Sequence, residues 1–254
     1  MAKLKLTDEQ LKEMMELVKG SDTVELKLTI PETTRAKTAG ALGVDPLDAQ
    51  LRQVFFFDTP DLALNKAGVV VRARRRQGGD SGDTVVKLRP VVPADLPKEL
   101  RKRRDFGVEV DAMPGGFVCS ASFKGVASNA GIREVALGSR PIRKLFSKAQ
   151  RTFYAEHAPE GLGIDDLTVL GPIPTLRVKF QPVGTEQRFV GELWLYPNGS
   201  QIVELSTKTA PAAALEVAAE SRALLEARGV DLSAEQQTKT KTALEFFAAP
   251  PAGG

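Results

Sequence analysis

A chain of 254 residues suffices for one large domain or two small ones. Its 42% hydrophobic and 26% charged residues are an ordinary globular mixture, which excludes a disordered chain and a coiled coil. A net charge of +3 favours anionic partners only weakly, so the placement of the charges matters more than their sum.

No apolar run is long enough to span a bilayer, and the first ten residues lack the apolar segment of a secretory signal. The expected compartment is the cytoplasm, with no membrane partner. The single cysteine, Cys119, excludes an internal disulfide, and it leaves too few thiols for a structural zinc site. A single histidine, His157, excludes a His-rich metal centre.

The first predicted element is a helix. Thr7 with Gln10 forms a capping-box pattern, Leu11, Met14, Met15 and Val18 recur at helical spacing, and Gly20 closes it. From Thr23 the period changes to two, predicting a strand that ends at Pro31. A loop is expected to Asp48, then an aromatic strand over residues 53–57 and a short helix opened by Thr59-Pro60. Strands follow over residues 69–76 and 84–89, separated by a glycine-rich loop, and another over 106–111. The segment 113–148 predicts one or two helices. Later strands are expected near 149–156, 166–170, 175–181, 188–196 and 201–208, with Asn198-Gly199 as the hairpin turn between the last two. Pro211 opens an alanine-rich helix that stops at Gly229. Ser233 with Gln236 caps a last helix reaching Phe247. The domain reading is a helix over 1–22, one domain over 23–247 and a disordered tail over 248–254.

Charges fall at every second position of the predicted strands. Glu25/Lys27, Arg72/Arg74/Arg76, Lys87/Arg89, Glu109/Asp111, Arg177/Lys179 and Glu204/Ser206/Lys208 each share one strand face, and apolar residues occupy the other. Glu192 joins the set. Such alternation commonly marks a sheet with its charged face in water. The opposite geometry is a closed barrel whose charges line a wet interior while helices cover the apolar outside. Two features favour the barrel: the same few ionic residue types recur across six or seven strands, and the flanking helices need an apolar face to pack against. A charged lumen is tolerable if cross-paired or filled by a complementary ligand. Arginine and lysine suit phosphate oxygens, and carboxylates suit hard divalent cations.

Four segments carry a family resemblance. Val24-Glu25-Leu26-Lys27 resembles the ExExK signature of the CYTH domain, the triphosphate tunnel metalloenzymes. Phe55-Phe56-Phe57-Asp58-Thr59-Pro60-Asp61-Leu62 is similar to the family's Y-F-D-T-P-x-x-x-L segment. Lys66-Ala67-Gly68-Val69-Val70-Val71-Arg72-Ala73-Arg74 is similar to K-x-G-x-x-L-R-x-R, and Thr84-Val85-Val86-Lys87-Leu88-Arg89 to the T-x-K strand. The resemblance is specific over residues 23–111. Beyond them it rests on Glu192, on Glu204 and on a lysine near the C-terminus.

The resemblance implies an α+β fold, a closed antiparallel eight-stranded β-tunnel with peripheral helices. It further implies a divalent-metal-dependent hydrolase of a triphosphate or polyphosphate compound, with Mg2+ or Mn2+ as cofactor. The family includes inorganic triphosphatases, thiamine triphosphatases and class IV adenylate cyclases. Carried over by position, Lys27, Arg72, Arg74, Lys87 and Arg89 would grip phosphates, with Arg151, Arg177 and Lys179 as further basic lining. Glu25, Glu109, Asp111, Glu192 and Glu204 would hold metal, and Glu25 and Glu109 would serve the attack of water. Two positions depart from the pattern: Thr23 stands where the first glutamate of ExExK belongs, and Ser206 where a second acid is common. Both remove a hard anionic ligand, which keeps open one metal rather than two, another phosphate compound, or binding without turnover; a nucleotide cyclase stands as a separate third reading.

The runs Arg72–Arg76 and Arg101–Arg104 lack interleaved aromatics, which points away from nucleic acid. His157 is expected at a surface or loop edge, Cys119 as an apolar filler, and Trp194 as a plug at one end of the barrel.

Overall fold

The computed structural model describes residues 8–233 and 235–248; Thr7 and the 249–254 tail lie outside them. The elements in chain order are α1 (Asp8–Gly20), β1 (Thr23–Ile30), α2 (Arg35–Leu42), β2 (Gln50–Asp58), α3 (Ala63–Lys66), β3 (Val69–Arg76), β4 (Ser81–Leu88), α4 (Lys98–Arg101), β5 (Phe106–Met113) and β6 (Gly116–Ser128). There follow α5 (Asn129–Ala136), α6 (Lys148–His157), β7 (Thr168–Phe180), β8 (Phe189–Leu195), β9 (Gln201–Thr209), α7 (Ala214–Ala227) and α8 (Lys239–Ala248).

The strands close into one barrel in the order β1-β5-β6-β4-β3-β2-β7-β8-β9. This corrects the expected architecture in two ways. The barrel has nine strands rather than eight, and it is mixed, because β1 runs parallel to β5 with Thr23 opposite Glu109 and Glu25 opposite Asp111. Closure through a parallel pair abolishes both sheet edges.

Several predicted elements differ from the observed ones. The segment 113–148 carries the expected helix as α5, but its first part is the unpredicted 13-residue strand β6. Its alternation is between small residues, Cys119 and Ala121 outside against Ser120 and Ser122 inside, and so carries little hydrophobic contrast. Residues 148–157 form helix α6 rather than a strand, opened by a capping box between Ser147 and Gln150. Residues 35–42 form α2 where a loop was expected. The 166–170 and 175–181 strands are one strand, β7, which carries an irregularity opposite Val54 and Phe56. There Gly171 has φ +142 and approaches Val54 O so closely that a Cβ would clash at 2.8 Å. Ser233 does not cap α8; its Oγ donates to Asp231 instead.

The apolar faces turn outward. Val71, Val86, Val108, Val110 and Phe123 form one buried cluster with Ile132 and Val135 of α5 and Phe153 and Tyr154 of α6. Phe106, Phe123 and Phe153 meet edge to face with centroids 5.0, 5.1 and 5.7 Å apart, each contact worth about 1 kcal/mol beyond the area buried. Cys119, 1% exposed, belongs to this cluster, as expected of a filler. Leu17 and Val18 of α1 pack against the same cluster. No helix among the described residues is long and apolar enough to cross a membrane.

The interior is apolar at one end and ionic at the other. Val54, Phe56, Leu170, Ile173, Trp194 and Ile202 face inward and bury Ala243 and Leu244 of α8. Helix α8 thereby stoppers that end of the barrel, with Trp194 in the plug and 6.3 Å from Phe56 between ring centroids.

Candidate functional site

Strand pairing places the ionic residues on one shared surface. Lys27 lies opposite Ser206, Glu25 opposite Lys208, Arg177 opposite Glu192, and Glu192 opposite Glu204. Paired residues share a sheet face, and their strand neighbours Val24, Val86 and Val108 belong to the outer core, so the ionic set lines the bore.

The first constellation centres on Asp111, whose side chain is 0% exposed. Lys27 Nζ lies 2.9 Å from Asp111 Oδ1 and 3.2 Å from Glu25 Oε2, while Arg89 Nη2 lies 3.1 Å and Lys87 Nζ 3.9 Å from Asp111 Oδ2. Lys208 pairs with Glu109 and lies 3.6 Å from Glu25 Oε2. Burial opposes ionisation of Asp111, but Lys27, Lys87 and Arg89 outweigh it and hold the carboxyl down to about 2. Burial likewise opposes the charge on Lys27, and Asp111 with Glu25 and Glu204 raises its pKa above the ordinary lysine range. Glu109 is held below its usual value because Lys208 outweighs burial.

Glu25, Glu109 and Asp111 each present a carboxylate oxygen within 4.8 Å of the other two. Asp111 Oδ1 meets Lys27 and Oδ2 meets Arg89, and each carboxylate oxygen has a second lone pair that a ligand can use. Three hard oxygen donors this close together fit a divalent cation of the Mg2+ or Mn2+ type. Thr23 supports this group at second hand: its Oγ1 donates to Glu109 Oε2 at 3.3 Å. Asp22 points away, accepting from Val108 N at 2.7 Å and from Arg101 at 3.0 Å.

Glu192 and Glu204, which the sequence grouped with those three, occupy a second constellation. Lys239 of α8 pairs with Glu192 and lies 2.8 Å from Glu204 Oε1, with its Nζ 5.3 Å from the Trp194 ring centroid. Arg177 Nε lies 3.3 Å from Glu192 Oε1, and Trp194 Nε1 donates to Glu192 Oε2 at 3.2 Å. Burial opposes ionisation of Glu192 and is outweighed, chiefly by Lys239, which holds its pKa far below the usual carboxylate range. The two acids are thus neutralised from within the chain.

Cations outnumber partners between the two groups. Arg72 faces the bore with Nε buried and unpartnered, and no described carboxylate lies within ion-pairing distance of it. Burial, reinforced by Arg74, pushes its pKa down to about 10. Burial also pushes Lys87 down to about 8, against the pull of Asp111. Arg74 is matched by Asp83 at 2.9 Å.

The expected lining therefore stands together at Lys27, Arg72, Arg74, Lys87, Arg89 and Arg177, with Lys179 exposed at the end of β7. Arg151 is a correction. It sits on α6 outside the barrel, exposed, and donates to the carbonyls of Arg143 and Phe146. The strand assumed for residues 149–156 had given it an inward face that a helix does not provide. The cluster at 101–104 is mostly neutralised, Arg101 by Asp22, Lys102 by Glu99 and Arg103 by Asp105. His157 ends α6, exposed, with Nδ1 2.8 Å from Phe153 O. Lys208 and Lys239 were missed as site residues. Lys208 was legible as the next alternate position after Ser206, whereas nothing local marks Lys239.

The Asp58-Thr59-Pro60 segment has a structural use. Asp58, buried, accepts hydrogen bonds from the backbone N–H groups of Thr59, Leu64 and Asn65 at 2.7, 2.9 and 3.0 Å. It caps α3 and sets the entry into β3.

No family model matches the sequence, and neither does any curated protein. Solved structures do match. A proposed adenylyl cyclase from Hippeastrum with a dominant triphosphatase activity superposes with a TM-score of 0.61 at 16% identity, covering 87% of this chain and 94% of that one. A proposed adenylate cyclase from Bacillus halodurans gives 0.60 at 13% identity, covering 87% and 98%. The chain has the CYTH tunnel fold. At these identities the likeness concerns architecture, and the chemistry of the tunnel rests on the residues that line it.

Proposed function

We propose that the tunnel binds a triphosphate or polyphosphate compound and hydrolyses it with the help of a divalent cation. The observation that carries this reading is the pairing of opposites within one bore: the Glu25–Glu109–Asp111 group beside Arg72 and Lys87, buried cations whose charge the fold leaves undercompensated. Phosphate oxygens supply the missing counter-charge, which relieves the cost of those cations and returns it as affinity.

Glu25, Glu109 and Asp111 would hold the cation, which would take the place of Lys208, a 51% exposed side chain, as the counter-charge of Glu109 and Glu25. A divalent ion there supplies neutralisation of phosphate oxygen charge. Arg72, Lys87 and Arg89 bind the phosphoryl oxygens, and Lys27 pairs with Asp111 and Glu25. Hydrolysis then follows an in-line course. Water oxygen bonds to the terminal phosphorus, the bridging P–O bond breaks, its electron pair leaves with the shortened phosphate, and the water's proton passes to a phosphate oxygen. Glu109 acts by orienting the water. Removing one such stabiliser costs roughly 3–4 kcal/mol of barrier.

The deciding experiment incubates the protein with tripolyphosphate, thiamine triphosphate or ATP, with Mg2+ or Mn2+, and measures phosphate and cyclic nucleotide. Phosphate release that Glu109→Gln and Arg72→Ala abolish, without loss of fold, supports the hydrolase. Thr23 and Ser206 motivate a second reading, a phosphate-binding module, which tight calorimetric binding without release would favour. The absence of both release and binding rejects the reading of the tunnel as a phosphate site.

A further inference from the structure

The β2–β3 edge carries cations that the bore does not use. A cavity of about 250 Å3 there is lined by Leu51, Arg52, Gln53, Arg75, Arg76 and Gln77, three arginines and no acid. Arg52 lies opposite Arg76 on the face shared with Arg72 and Arg74, while Gln53 lies opposite Arg75 on the outer face. The cavity therefore straddles the rim at which the two faces meet.

No described carboxylate lies within ion-pairing distance of these arginines. Their contacts are neutral: Arg52 Nε and Nη2 donate to Gln50 Oε1 at 3.0 and 2.8 Å, Arg75 Nη1 to Gln53 Oε1 at 2.8 Å, and Arg76 Nε to Ser81 O at 3.1 Å. Arg75 Nε is buried without a partner. Arg52 is under electrostatic pressure, its pKa pushed down to about 10 by burial and then by Arg74 and Arg177. Along β3, Arg72, Arg74 and Arg76 follow one another at steps of about 6.6 Å, and Arg52 and Arg75 continue the series around the rim. The result is a line of arginines leading from the bore to the outer surface, in which Arg74 alone is matched by an acid, Asp83. A compact triphosphate is served by the bore residues alone, so the outer part of the line answers to a longer anion.

We propose that this rim is a second anion subsite, one that takes the trailing phosphates of a linear polyphosphate longer than three units; the inference rests on the reading of the bore as a phosphate site. No aromatic lines the cavity, so the bases of a nucleic acid have nothing to stack on.

The test compares tripolyphosphate with size-fractionated long-chain polyphosphate by calorimetry, using the wild type, Arg75→Gln and Gln77→Glu. Gln77 is exposed, so its variant tests the rim without disturbing the core. The expected result is tighter binding of the long chain, with a steeper loss in salt, and a fall of about tenfold in long-chain affinity in each variant. Tripolyphosphate affinity and thermal midpoint stay at wild-type values. Tight tripolyphosphate binding with no variant-dependent change for the long chain overturns the rim subsite alone. An equal loss for both ligands overturns it too, since the residues then serve the bore. Competition by a single-stranded oligonucleotide of matched charge, as effective as polyphosphate, also rejects it. If tripolyphosphate fails to bind while long-chain binding still depends on Arg75, the bore reading falls and the rim stands.

Discussion

Lys239 of helix α8 reaches across the barrel wall to within 2.8 Å of Glu204 Oε1, and the same ammonium pairs with Glu192. One side chain thus ties the helix that stoppers the tunnel to two carboxylates of its lining. Tyr196 adds a second tie, its hydroxyl donating to Lys239 O at 3.1 Å.

Lys239→Met is expected to destabilise the protein by roughly 3 kcal/mol, because it leaves Glu204 without its cation and Glu192 with Arg177 alone. Adding Glu204→Gln should recover part of the loss. The pH dependence has a definite sign. Glu192 titrates far below its unfolded value of 4.5, so its contribution is complete above that value and is lost as the pH falls through the acid range. Urea titrations at several pH values should show a constant gap between wild type and Lys239→Met near neutrality, closing in acid. A gap that persists unchanged under acid conditions would exclude the pairing as its cause.

Arg72→Met should separate stability from binding. It removes a half-buried guanidinium whose Nε is buried without a partner, so the thermal midpoint is expected to stay level or rise. Tripolyphosphate affinity should meanwhile fall roughly 10- to 100-fold, the scale of a hydrogen bond between charged groups. Arg151→Ala, outside the barrel, is the matched control and should leave binding unchanged. An Arg72 variant that melts early and binds normally contradicts the assignment.

Asp58→Ala tests the capping segment. Three backbone N–H groups lose their acceptor, two of them from α3, and the expected cost is about 2–3 kcal/mol, or roughly 5–10 °C in Tm. Phosphate binding per folded molecule should not change, since Asp58 makes no contact with the bore cations. Scanning calorimetry beside the binding assay checks both halves. A selective loss of binding with normal stability would move Asp58 into the site.

The alternation of charge and hydrocarbon was legible in the chain for a simple reason. A strand sends neighbours to opposite faces whatever surrounds it, so Glu25 with Lys27, and Glu109 with Asp111, share a face by local geometry alone. The same holds for the Asn198-Gly199 turn and for β3 with its three inward arginines. Elements whose identity depends on contrast were hidden. In β6 small residues alternate with small residues, and in α6 a mixed segment is held helical by Gln150, which bonds Thr84 and Phe123 O across the barrel wall.

What the sequence determined by itself is therefore which residues travel together along each strand, and that their ionic faces call for counter-charge. Only the closed tertiary structure decided that those faces turn inward. It also divided the five acids into a triad paired with Lys27, Arg89 and Lys208 and a pair held by Lys239, and placed Arg151 outside. These outcomes depend on which strands become neighbours and where a helix some thirty residues beyond β9 returns. Such long-range choices follow from the burial of whole faces at once, and no local spacing encodes them.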